Sequence, residues 1–163
     1  MTTLRRLPLD ELVATLVAEH AKMKDGISRT RNAMLTGNFA RAKESMSAVV
    51  GTFRQHIADE EGQILRLLIE AYGRGGAEDA LGVFRQHRPI YALMEALEGL
   101  SRLAPLELQA RGAELAALLD DHAFSEENRI FPRALAVGGA KTDASPASGE
   151  WNSGPRLPES GGS

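Results

Sequence analysis

The sequence contains no cysteine. That absence excludes disulfides, thiolate zinc sites, iron–sulfur clusters and a cysteine nucleophile, so any metal must bind through nitrogen and oxygen. An excess of positive charge is also lacking. Lys and Arg total 19 against 22 Asp and Glu, a net charge of −3, which provides no broad basic surface for a phosphate backbone. Nucleic acid is therefore not an expected partner. Long apolar runs are missing as well: no stretch nears the roughly 18 residues that a membrane span needs. At the start, MTTLRRLPLDELVATLVAEH, charges interrupt the apolar residues before a run of signal-peptide length forms. No membrane association is expected, and the cytoplasm is the expected location.

What is present is the composition of one soluble globular domain: 163 residues, 43% apolar and 25% charged. Breakers are few and evenly placed, at Thr36-Gly37-Asn38, Gly73-Arg74-Gly75-Gly76, Ala104-Pro105 and Gly138-Gly139. Between them run four segments with helical periodicity. The first spans about Pro8 to Leu35, with Leu9, Leu12, Leu16, Met23, Ile27 and Met34 at three- and four-residue steps. Asn38 is a candidate N-cap for the second, whose inner face carries Ala42, Met46, Val49, Phe53, Ile64, Leu67 and Ala71. The third, from about Glu78 to Leu103, places Val83, Phe84, Ile90, Met94 and Leu97 inward. Pro105 opens the fourth, where a missing N–H is harmless, followed by Leu108, Leu115, Leu118, Ile130 and Ala134.

Strand signals are weak, and short connections make neighbouring helices antiparallel. The expected fold is all-α, an up-down-up-down four-helix bundle over residues 1–137. Residues 138–163 hold 14 Gly, Pro and Ser among 26 and read as a disordered tail, with Trp151 its one aromatic. Phe53-Arg54-Gln55-His56 recurs as Phe84-Arg85-Gln86-His87, a match too short to define a repeat.

A histidine on an apolar helical face is, taken singly, an ordinary core residue with a satisfied ring. Here all four histidines, His20, His56, His87 and His122, lie on inward stripes, one per helix, and glutamates follow two of them at Glu60 and Glu126. Their heights agree. His20 is 17 residues before Gly37 and His56 is 18 after Asn38, so at about 1.5 Å per residue both lie about 25 Å from their turn. His87 is 17 residues before Ala104 and His122 is 17 after Pro105. Burying such groups unpartnered would cost several kcal/mol for each ionised one, comparable in sum to the stability of a domain. Cations remove that penalty. His-x-x-x-Glu sets nitrogen and oxygen donors one turn apart on one face, so each such helix can give a terminal ligand and a bridging carboxylate.

Four ligands would saturate a single zinc, whereas six mixed donors suit two ions with open positions: iron first, manganese second. No ferritin-type Glu-x-x-His, no His-Glu-x-x-His and no serine nucleophile motif occurs, which argues against a ferritin-like oxidase, a zinc protease and a serine hydrolase.

The series Glu19-His20, His56-Ile57-Ala58-Asp59-Glu60, His87, and His122-Ala123-Phe124-Ser125-Glu126-Glu127 followed by Ile130-Phe131-Pro132 resembles the hemerythrin-like, or HHE cation-binding, family over roughly residues 8–135. The resemblance implies a non-haem di-iron site with Glu60 and Glu126 bridging and the four histidines as terminal ligands. The oxygen-carrying members have a further histidine on the third helix and an aspartate as second bridge. Here the positions four before and four after His87 are Val83 and Tyr91, and the second bridge is a glutamate. In that respect the chain is closer to the iron-centre-repair and wider bacterial members.

Tyr91, one turn beyond His87, is either an additional ligand or hydrogen-bond donor at the centre, or a core tyrosine. Glu19, Glu61 and Glu127 are read as solvated or supporting residues, and Asp59 and Asp121 as candidates to steer imidazole N–H groups. The leading functional expectation is a di-iron protein binding dioxygen, nitric oxide or peroxide as a sensor, store or scavenger. The alternative is a di-iron enzyme that consumes peroxide or donates iron to damaged iron–sulfur clusters. A helical interaction module with incidental core histidines is the third reading.

Overall fold

In the computed structural model, residues 3–98 and 105–142 are described. Helix α1 (Leu9–Leu35) begins after Pro8, whose carbonyl accepts the N–H of Leu12, and carries Asp10 and Glu11 in its first turn, where acidic groups favour the helix dipole. It ends at Gly37 with φ 72°. There Gly37 N–H donates to Met34 O and Asn38 N–H to Ala33 O, a Schellman closure that needs a residue free to adopt positive φ. Asn38 then accepts the N–H of Arg41 at 3.1 Å and so caps α2 (Phe39–Asp59).

The chain continues through a π turn (Glu60–Leu65) into α3 (Arg66–Tyr72), forming one rod. Gly73, φ 57°, reverses the chain in a single residue, and α4 (Arg74–Glu98) starts at once, four residues before the expected Glu78. Gly75 and Gly76 are helical rather than helix-breaking. A Cβ on Gly76 would stand 2.0 Å from the carbonyl oxygen of Leu68, so the glycine serves close packing of α4 against α3. The last rod comprises α5 (Pro105–Ser125), a second π turn (Glu126–Ile130) and α6 (Phe131–Thr142).

The rods pack as an antiparallel ring, with α1 against α2, α3 against α4, α4 against α5, and α1 against α5 and α6. The bundle expected from the sequence is the fold observed, and no strand occurs among the described residues. No described helix is long and apolar enough to cross a membrane. α6 runs through Gly138-Gly139 to Thr142, with Gly138 lying close against Leu9, so helix extends past the point where the tail was expected to start. The remainder of that segment, Trp151 included, lies outside the described residues, as does the end expected for the third helix at Leu103.

Two apolar clusters fill the interior. One gathers Met23, Ile27, Met46, Phe53, Ile57, Ile90, Met94, Leu115 and Leu119; the other Leu12, Leu16, Ile64, Leu65, Leu68, Val83, Ile130 and Phe131. On α1, α4 and the α5–α6 rod the passage from one cluster to the other crosses a histidine, and on the α2–α3 rod it crosses Glu60, one turn beyond His56. Two inward assignments fail: Ala71 is exposed, and Phe84 is 42% exposed. With about 100° between successive residues, the face that buries Val83 and Ile90 turns Phe84 toward the rim.

Candidate metal centre

Between the two apolar clusters lies a polar layer. It brings together all six residues singled out from the sequence: His20, His56, Glu60, His87, His122 and Glu126, each at most 2% exposed. Glu126 is its hub. Its Oε2 lies 3.0 Å from His20 Nε2 and 3.4 Å from His56 Nε2, while its Oε1 lies 3.0 Å from His122 Nε2 and 4.0 Å from His87 Nε2. His87 Nε2 is also 3.1 Å from Glu60 Oε2. Two donor sets result, His20, His56, His122 and Glu126, and Glu60, His87, His122 and Glu126, each with one atom per residue within 4.8 Å of the others.

Many of these close approaches lack hydrogen-bond alignment. Both oxygens of Glu60, Nε2 of His87 and His122, Oε1 of Glu126 and Nδ1 of His56 are buried without a hydrogen-bond partner. Buried polar atoms are nearly always satisfied, and the five of these that belong to Glu60, His87, His122 and Glu126 lie in donor sets that could hold a metal ion. The donors are nitrogen and oxygen with no sulfur, and they fit metal ions of borderline to hard character.

Each imidazole presents Nε2 inward and Nδ1 outward. Outside, Nδ1 of His20 meets Glu127 Oε1 at 2.7 Å, His87 meets Glu61 Oε1 at 2.9 Å, His56 meets Glu19 Oε2 at 3.3 Å, and His122 meets Gln86 Oε1 at 3.4 Å. An acceptor behind Nδ1 selects the tautomer with its proton there and leaves Nε2 a free lone pair. Glu19, Glu61 and Glu127, expected to be solvated or supporting, thus back the rings of three histidines. Asp59 takes a different role from the one expected: it is fully buried but binds Arg5, Gln55 and Gln63 rather than an imidazole. Asp121 is exposed. Tyr91 is 37% exposed, its ring edge-on to Phe53 at 5.7 Å between centroids.

A signal for the outer partners does exist in the sequence. His56-x-x-x-Glu60-Glu61-x-x-Ile64-Leu65 matches His122-x-x-x-Glu126-Glu127-x-x-Ile130-Phe131. In each, the first glutamate opens a π turn and faces inward, and the second reaches the outer nitrogen of a histidine on a neighbouring rod. The widened turns rephase the helix, so that Ile64 and Leu65, and Ile130 and Phe131, are all buried.

Where no cation is bound, the buried carboxylates favour protons on two of the imidazoles. Burial opposes the charged imidazoles, but Glu126 and Glu19 raise His56 to about 9, and Glu60 and Glu61 raise His87 to about 9. Burial and the charge of Glu126 push the Glu60 carboxyl upward. Burial also works against the Glu126 carboxylate, yet His122, His20 and His56 hold it well below its usual range. Burial lowers His122, for which Glu126 is only a partial offset.

The fold and this layer define a class: a helical bundle with a buried imidazole–carboxylate centre able to hold metal ions. The sequence model of the hemerythrin HHE cation binding domain matches residues 11–134, and the chain belongs to that family. No curated protein and no solved structure matches it.

Proposed function

We propose that the chain holds two iron ions in this layer and uses them to bind dioxygen, nitric oxide or peroxide as a sensor, store or scavenger. The observation that carries this reading is the placement of Glu126, whose two oxygens face different donor sets. A carboxylate so shared is suited to bridging two cations. Glu60, which belongs to one donor set, would be the second carboxylate ligand, a bridge by the family resemblance, and the four histidines would bind through Nε2. Bound there, iron supplies open coordination positions and one-electron chemistry for a small ligand. The chain's own groups do the rest. Glu127 and Glu61 hold the Nδ1 protons of His20 and His87, Glu19 lies beside Nδ1 of His56, and the apolar clusters on both sides keep bulk water away. Iron is preferred to manganese because four imidazoles stand against two carboxylates in the set.

Peroxide consumption or iron donation is the second reading. It is favoured by the lack of a second histidine on α4: the positions four before and four after His87 are Val83, which is fully buried, and Tyr91. Fewer protein ligands leave more positions for substrate. The test is metal content per chain after expression with iron, followed by visible spectra under dioxygen, nitric oxide and peroxide. About two irons with reversible spectral change supports capture, and sustained peroxide turnover supports the enzyme. A stable protein that takes up no iron would sink both.

A further inference from the structure

The segment ahead of α1 lies across the first π turn. Gln55 Nε2 donates to Thr3 O at 2.9 Å, Gln63 Nε2 to Arg5 O at 2.8 Å, and Leu4 sits so close over Gly62 that a Cβ there would be 2.8 Å from its Cδ2. Arg5 fastens this strap twice to the buried carboxylate of Asp59, by its backbone N–H at 2.7 Å and its Nε at 2.5 Å. The other side of its guanidinium grips Glu19, Nη1 to Oε1 at 2.8 Å and Nη2 to Oε2 at 3.0 Å. That same Oε2 of Glu19 is 3.3 Å from Nδ1 of His56. A chain of contacts thus runs from a side chain 28% exposed at the surface to the ring of a residue in the donor set, its last link an ion-pair contact and not an aligned hydrogen bond.

We infer that Arg5 is a positioning residue for the metal centre, acting through Glu19 to hold the ring of His56. The inference rests on the metal reading of the layer given above. A carboxylate with free rotation would meet His56 in many orientations; one held on both oxygens by a planar guanidinium has a single one. Lysine cannot replace it, because one ammonium cannot span the Nε-to-Asp59 and Nη-to-Glu19 contacts together. The strap also explains why Asp59 is buried and serves no imidazole: it anchors the far side of the same fork.

The experiment is iron release from the loaded full chain to excess bipyridine, for wild type, Arg5→Met, Glu19→Gln, the double variant and Arg5→Lys. Loss of a supporting contact of this kind weakens a site by about tenfold or more. One of two release phases should quicken about tenfold in Arg5→Met and equally in Glu19→Gln, and the double variant should be no faster than either. That non-additivity separates action through Glu19 from general loosening, whose effects would multiply. Arg5→Lys should resemble Arg5→Met. Wild-type release from Arg5→Met or from Arg5→Lys, or multiplying effects in the double variant, would overturn the inference while leaving the centre intact. A wild-type chain that holds no iron would remove the metal reading and this inference with it.

Discussion

The Nδ1 of His20 lies 2.7 Å from Oε1 of Glu127, across 107 residues of sequence, and ties α1 to the second π turn. Glu127→Gln keeps the size of the side chain but removes the charge that stabilises a proton on Nδ1. Metal affinity, measured by chelator competition, should fall about tenfold, with little change in the melting temperature of the metal-free protein. An unchanged affinity would show that the contact is incidental.

Glu126 belongs to both donor sets and Glu60 to one. Glu126→Ala should therefore abolish binding at both positions, while Glu60→Ala should leave a chain that still binds about one ion with reduced affinity. Metal counting by mass spectrometry on the native protein decides this. Equal losses in the two variants would assign the carboxylates equivalent roles.

His56 and His87 rise from 6.5 to about 9 in the metal-free layer, because neighbouring carboxylates outweigh burial. A raised value means that the folded chain binds protons more tightly than the unfolded one. The stabilisation is complete below pH 6.5 and is lost as pH climbs through about 9. The metal-free melting temperature should fall across that window, while metal affinity rises, since an incoming cation displaces those protons. Calorimetry in two buffers of different ionisation heat should detect proton release at pH 7, and its absence would contradict protons on these imidazoles.

Gly76 and Gly51 are both helical glycines with opposite surroundings. A Cβ at Gly76 meets the Leu68 carbonyl at 2.0 Å, while nothing lies within 4 Å of one at Gly51. Gly76→Ala should destabilise by about 2 kcal/mol or more through overpacking, whereas Gly51→Ala should stabilise by up to about 1 kcal/mol through helix propensity. Urea melts of the metal-free chain test the pair, and a neutral Gly76→Ala would refute the close approach of α3 and α4.

The four-rod architecture and the six inward residues were legible because both follow from counting along single helices. Periodicity sets the face, and equal distances from a turn set the height, so His20, His56, His87 and His122 align without any tertiary knowledge. Contacts between rods were less accessible. Nothing local tells Glu127 to face His20 or Asp59 to turn toward Arg5; those directions depend on the π turns and on the strap. Phe84 shows a different limit. It shares the tetrapeptide Phe-Arg-Gln-His with Phe53, yet Phe53 is fully buried and Phe84 is near the rim. Composition marks both as core, while the phase of each helix against its neighbours separates them. Likewise Gly75-Gly76 reads as a break, because close backbone packing has no signature other than a small residue.

The polar layer also cuts the hydrophobic interior in two. The histidines and glutamates of the layer separate the two apolar clusters, so the ends of the bundle resemble a pair of small proteins sharing four struts. Without cations, amide exchange should reveal two opening units with different protection factors, each melting on its own side of the layer. With cations in place the struts are cross-linked at mid-height, and the two units should merge into one cooperative block.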